Sequence, residues 1–218
     1  MSSSINRDGH AVEKAARAKP AGSLRTGLKK FTRQRLLDAA LQCFREYGYQ
    51  QTSVERIAKI AGTTVPTFYR HFPSKGELLH PLLDYLTGEV EATLRELDAL
   101  DVRDCREVRR WLDSYIVMWG RVHKLCAAHW EAVNIDPSYA GHLMDDAISC
   151  ASVMRRTMSR LPAERRAVFG VRMGLVTMFV DRLALAVSVE ANAARAHQIM
   201  DEFSKMLWLI LNDNAALG

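Results

Sequence analysis

Cysteine is scarce and scattered in this chain. Its four cysteines, Cys43, Cys105, Cys126 and Cys150, include no CxxC pair, which leaves neither a disulfide framework nor a thiolate zinc site in the sequence. Unbroken apolar runs are missing too: the most apolar stretch, residues 173–189, is interrupted by Asp181 and Arg182 and falls short of the roughly 20 residues that cross a bilayer. It reads as a buried helix, with no membrane role. No segment alternates apolar and polar residues with the period of a half-buried strand, and no repeat is present. Nothing at the start reads as a charged-then-apolar leader, so the expected location is a reducing cytoplasm. Phosphate-cradling loops, nucleophile elbows and metal motifs are absent as well. No catalytic residue, cofactor or metal is therefore expected, and the chain is not expected to be an enzyme.

What is present is helical periodicity over 218 residues, enough for a sizeable core without covalent staples. Charge is uneven. Residues 1–35 hold nine basic residues against Asp8 and Glu13, which makes +7, so the remainder carries −2 of the total of +5. Residues 1–29 have almost no periodic apolar positions and read as a disordered basic arm, either in contact with DNA phosphates or simply solvated.

The chain is organised around residues 52–75. Thr52 followed by Glu55 is a capping box that starts a helix at Ser53 or Val54. Val54, Ile57, Ala58 and Ala61 recur at helical spacing, and Gly62 supplies the left-handed residue that ends the helix. After a turn of Gly62, Thr63 and Thr64, Thr64 caps a second helix with Pro66 in its first turn. On a helical wheel Val65, Phe68 and Phe72 share one face, and Pro66, Thr67, Arg70 and His71 the opposite one, with Tyr69 at the rim. Ser74 with Glu77 makes another capping box, which would put Lys75 at a helix N-terminus, a phosphate-binding position.

These residues, notably Ile57-Ala58, Ala61-Gly62, Pro66-Thr67, Tyr69, His71-Phe72, Lys75 and Leu78-Leu79, resemble the DNA-binding domain of the TetR family of bacterial transcriptional regulators over residues 30–90, with the helix-turn-helix at about 53–72. The resemblance implies that Thr52 or Ser53, Thr67, Tyr69, His71 and Lys75 touch phosphates while Val65, Pro66, Thr67 and Arg70 face base edges. It also implies a homodimer formed through the last two helices, on a palindromic operator of double-stranded DNA.

A first helix is expected from after Thr32 to Gly48, with Leu37, Ala40, Leu41 and Phe44 buried, and a fourth over 75–97, in which Pro81 predicts a kink near Glu77. That kink is either a static bend or a hinge that carries a signal to the head. Asp104 and Glu107 open a fifth helix, Asp136-Pro137 a single further one ending at Leu161-Pro162, and two long helices follow over 162–190 and 192–211. The fold is therefore all-α: a three-helix head joined by a long helix to a larger helical domain, residues 91–218, to which the resemblance assigns ligand binding and dimerisation. The stripe Gly170, Gly174, Thr177, Asp181, Ala184 and Ser188 lets another helix approach closely, from a second subunit or from within the monomer. By the same resemblance Trp111, Tyr115, Met118, Trp119, Trp130, Met178 and Phe179 line a cavity for a small effector; as individual residues they also fit an ordinary core. Polar groups on these helices, His123, His129, Glu131 and Asp181, need partners. His123, Cys126 and His129 could bring two ligands to one metal, or be satisfied core and surface groups.

The function that the resemblance implies is a regulator, by family habit a repressor, released from DNA when an apolar or aromatic small molecule fills the body. The alternatives are an effector-independent architectural or division-control protein with the same head and a helical enzyme using His123, His129 or Glu131.

Overall fold

The computed structural model describes residues 21–140 and 143–212, and every regular element among them is helical. Three helices make the head: α1 (Ala21–Tyr47), α2 (Val54–Ile60) and α3 (Val65–His71). Leu36, Cys43 and Phe44 from α1, Ile57 from α2 and Phe68 from α3 are fully or almost fully buried together. Cys43 thus belongs to the core, while Leu37 and Leu41 are only half-buried. Helix α1 starts at Ala21 rather than after Thr32, so the end of the expected arm is helical; residues 1–20 lie outside the described residues. That early part carries exposed Leu28 and Phe31.

Helix α2 is capped by Ser53, whose Oγ accepts the N–H of Arg56 at 3.3 Å. Thr52 is not the cap: its hydroxyl is donated to the Gly48 carbonyl at 2.6 Å. At the other end Gly62, with φ +61, donates its N–H to Lys59, and Thr63 donates to Ala58. This crossed pair of bonds turns the chain sharply, and only a glycine takes the left-handed position without strain.

A single 3₁₀ turn, Gly76–Leu78, precedes α4 (Leu79–Ala99), with no side-chain cap from Ser74. Pro81 falls in the first turn of α4, where a missing N–H breaks no bond, so the expected kink is replaced by a fresh helix start at Leu79. The body is built on α5 (Cys105–Ile135), which contacts α1, α4, α8 (Ala163–Val189) and α9 (Ala193–Asn212). Three polar ties fix it: Trp111 Nε1 donates to the Thr93 carbonyl of α4 at 2.7 Å, Tyr115 donates to Asp181 of α8 at 2.9 Å, and Arg109 pairs with Asp201 of α9 at 3.0 Å.

The single helix expected after Asp136 is broken into the 3₁₀ turn Pro137–Ala140, α6 (Leu143–Cys150), the 3₁₀ turn Ala151–Val153 and α7 (Arg155–Arg160). The break has a tertiary cause. Asp98, at the end of α4, accepts the backbone N–H groups of Arg156 and Thr157 at 2.7 and 2.8 Å and so caps a new helix there.

The glycine stripe of α8 is used within the protomer. A Cβ on Gly174 would stand 3.1 Å from the Ile148 backbone nitrogen, and one on Gly170 would stand 3.4 Å from its side chain, so α6 lies directly on these glycines. Gly174→Leu would drive a side chain into the α6 backbone; overpacking of this kind costs roughly 1–3 kcal/mol, more than the helix-propensity gain of under about 1 kcal/mol. The urea unfolding midpoint should fall accordingly.

Candidate nucleic-acid interface

Helix α3 is short, so its placement depends on its ends and on one buried face. Thr64 caps it, accepting the Thr67 N–H at 3.3 Å and donating its own hydroxyl to Thr67 Oγ1 at 3.1 Å. Phe68 is fully buried and Phe72 nearly so, with rings 5.7 Å apart, while Val65 packs half-buried against the same core. The rest points outwards: Pro66 and Arg70 are exposed, Tyr69 is 51 % exposed, and Thr67 is half-buried. Arg70 Nη2 donates to Thr67 Oγ1 at 3.3 Å, so three hydroxyl and guanidinium groups form one chain along the outer face. Ser53, exposed at the start of α2, completes the set of expected contacts that face solvent.

Two expected phosphate contacts are placed otherwise. Thr52 is 2 % exposed with its hydroxyl already engaged. Lys75 is half-buried, donating from Nζ to the carbonyls of Tyr49 and Thr52 at 2.9 Å each and lying 4.2 Å over the Tyr49 ring. Burial pulls its pKa below the usual lysine value, with the Glu131 carboxylate pulling the other way. In this structure Lys75 is a pin inside the head.

His71 is half-buried, and its Nδ1 is buried without a hydrogen-bond partner. Desolvation holds its pKa down, reinforced by Arg70, Lys29 and Arg33. A bare, desolvated Nδ1 favours the tautomer with the proton on Nε2, a neutral donor. Lys29 and Arg33 are neighbours of α3 that the expected contacts did not include. The early start of α1 places them there, and Arg33 stacks 4.6 Å over the Phe72 ring. The signal was available: Phe31 and Arg35 are four apart on the same helix face, and Arg35 stacks over Phe31.

The expected ligand-lining residues fall into two groups. Trp111, Tyr115, Met118 and Trp119 are buried along α5. Trp130, Met178 and Phe179 are exposed at 36, 39 and 65 %, so the structure does not bring them into one interior wall. Trp130 instead carries Arg182 over its ring at 5.7 Å. A cleft of about 400 Å³ opens between α1 and α5, lined by Gln42, Arg45, Glu46, Gly120, Arg121, His123 and Lys124, and none of the seven expected residues lines it.

Beside Tyr115, burial raises the Asp181 carboxyl, with the Tyr115 hydrogen bond and Arg182 pulling it down, and burial pushes the Cys126 thiol up to about 12. Burial also lowers the pKa of His129, whose ring meets Trp130 edge-on, whereas His123 stacks on Trp119. His123, Cys126 and His129 thus turn to different neighbours. Among the described residues no group of three or more His, Cys, Asp or Glu side chains is placed to hold a metal ion.

Residues 36–82 match the sequence profile described as "Bacterial regulatory proteins, tetR family". The chain is 28 % identical over 123 residues to the "HTH-type transcriptional regulator EthR" of Mycolicibacterium smegmatis, covering 56 % of this chain and 54 % of that protein. It is 35 % identical over 80 residues to the "HTH-type transcriptional repressor KstR" of Rhodococcus jostii, 37 % of this chain and 33 % of that one. The matched region thus spans about half the length, or less, of these curated relatives. Among solved structures it resembles a TetR-family regulator from Mesorhizobium loti, with TM-score 0.58 and 16 % identity over 83 % of this chain and 96 % of the other. Salmonella enterica GusR superposes with TM-score 0.53 and 21 % identity, covering 84 and 94 %. At such identities these two likenesses speak for the fold alone.

Asp181 gives a test of the buried network. A raised folded-state pKa means that the folded protein holds this proton more tightly than the unfolded chain. The contribution to stability is complete below the ordinary aspartate range and is lost as pH rises through the raised value. Asp181→Asn keeps an acceptor for Tyr115 and removes the titration, so its urea midpoint should gain on the wild type as pH rises above the ordinary aspartate value of about 4.

Proposed function

We propose that this chain, whose residues 36–82 match the profile of the TetR family of bacterial transcriptional regulators, is a homodimeric, sequence-specific DNA-binding repressor of that family, released from its operator by a small apolar or aromatic effector. The observation that carries the DNA-binding part is the outer face of α3, where Pro66, Thr67, Tyr69 and Arg70 stand clear of the core on a helix capped at its start and anchored by Phe68. A side-chain face of that kind suits the major groove, with Arg70 able to donate twice to a guanine and Thr67, Tyr69 and Ser53 reaching phosphates. Val65 and His71 lie at its edges. Curated relatives are named as transcriptional regulators and a repressor, which supports a regulator above an architectural protein and leaves no enzymatic role to assign.

Dimerisation is supported by the far side of the body. On α8, Val168, Val171, Leu175, Met178, Phe179, Leu185 and Val189 are all exposed, and at 100° per residue they fall within one stripe about 120° wide. Met206 and Leu209 of α9 are 59 % exposed each. A second copy meeting this stripe would bury it and pair two heads on a two-fold operator. Met178 and Phe179 therefore fit an interface better than an effector pocket. The effector part rests on Trp111, Tyr115, Met118 and Trp119, which are packed here. A compound entering among them would have to part α5 from its neighbours, so it would favour a different conformation, as release from DNA requires. Among the described residues no helix is long and apolar enough to cross a membrane, and work on DNA in the cytoplasm is part of the same proposal.

Two variants test the proposal. A duplex selected from a random pool by the wild-type protein should lose discrimination at one base position in Arg70→Ala, by roughly 1–3 kcal/mol in fluorescence anisotropy competition; unchanged discrimination would remove Arg70 from the reading face. Phe179→Glu should shift sedimentation towards the monomer, because it sets two charges against each other across the two-fold stripe. A variant that still sediments as a dimer places the interface elsewhere.

A further inference from the structure

The turn between α1 and α2 is where the body grips the head. Glu131, near the end of α5, accepts the backbone N–H of Gln50 on Oε2 at 3.0 Å. Its two carboxylate oxygens would lie 2.7 and 2.9 Å from a Cβ on Gly48. Gly48 has φ +74, so a side chain there is opposed by conformation and by the carboxylate together. Lys75 takes the carbonyls of the same turn, Tyr49 and Thr52. The acid therefore holds an N–H of residues 48–52 while the ammonium holds two of their carbonyls, and the two charges attract. Just beyond α5, the Tyr139 hydroxyl lies against Gly76, next to Lys75.

An acid at this place is not what the end of α1 requires. The C-terminus of a helix is its negative pole, where a basic or neutral group is favoured. Glu131 comes from another helix and is offset by Lys75, so its position answers to the joint between head and body. Helix α5 runs without interruption from Tyr115, bonded to Asp181 in the body, to Glu131, about 24 Å along one rod at 1.5 Å per residue. A displacement of α5 in the body arrives at the turn with little loss, since the turn's N–H is bonded directly to it.

We propose that Glu131 is a positioning residue for DNA binding: it sets the α1–α2 turn and, through Lys75, the segment leading into α4, and so couples the state of α5 to the readiness of the head. This rests on the DNA-binding reading above. Coupling of this kind is reciprocal, so DNA itself can serve as the probe and no effector is needed.

The measurement is amide hydrogen exchange on the full chain, free and bound to a duplex selected from a random pool by the wild-type protein. In the wild type the duplex should slow exchange in α3, at Gln50 and in residues 125–135. Glu131→Ala should bind about fivefold more weakly, because the turn must then be ordered on the DNA, and should lose the slowing in 125–135 while keeping it in α3. Glu131→Gln still offers a carbonyl oxygen to Gln50 and should restore most of that slowing, which a loss of general stability would not predict. Slowing in 125–135 that survives in Glu131→Ala overturns the proposal. The wild type tests it even if that variant fails to fold, because a duplex that slows α3 and leaves 125–135 unchanged also overturns it. A wild type that selects no duplex removes the DNA-binding reading instead, and this proposal with it.

Discussion

The burial of α5 on several sides is the constraint from which the rest of the structure follows. A helix flanked by α1, α4, α8 and α9 needs a broad apolar face, and it has one from Val108 to Ala132, with Arg106, Arg110, Asp113, Arg121 and Lys124 on the side left to solvent. Where a polar group does enter that interior it is matched at once: the Trp111 indole to a carbonyl, the Tyr115 hydroxyl to Asp181. Unmatched, each would carry a desolvation cost of about 1–3 kcal/mol. The ties of α5 thus serve orientation as much as stability, fixing which face of the rod meets which neighbour.

The head follows a different rule. Its helices α2 and α3 have seven residues each, too short to persist alone, and they are held by caps, by Gly62, by Phe68 within α3 and by Phe72 just after it. That economy leaves the outer face of α3 free of structural duty except for the Thr64, Thr67 and Arg70 chain. The side chains that would read DNA are therefore partly ordered before any DNA arrives, which lowers the entropy lost on binding.

Local chemistry made the head legible in the sequence: Gly62, Thr64 and Pro66 each do what their residue type does anywhere, and the inward and outward faces of α3 follow from spacing alone. The departures are tertiary. Thr52 was expected to cap α2, but the nearby Gly48 carbonyl claims its hydroxyl and Ser53 takes the cap. Lys75 sat where a helix N-terminus was expected, but the carbonyls of a distant turn took its ammonium. The single helix expected from Asp136-Pro137 to Leu161-Pro162 is broken before α7 because Asp98, far away in sequence, caps α7. The early turns of α1 were legible only from the helical spacing of Leu28, Phe31 and Arg35, since Leu28 and Phe31 are exposed and add nothing to the core. In the body, periodicity identified apolar positions on α8 without telling which stripe lies on α6 and which stays open.

The use of Gly170 and Gly174 by α6 has a geometric consequence for any partner of α8. The faces that permit close backbone approach are already taken, so a second α8 would meet branched and aromatic side chains and its axis would lie at the wide end of the usual 8–10 Å range. Such contacts interlock as ridges and grooves, and their natural slip is one helical turn, about 5.4 Å. In the proposed dimer, a slip of that size would move the two α3 helices off the 34–36 Å repeat of neighbouring major grooves, so such a seam would act as a vernier on the spacing of the sites it fits.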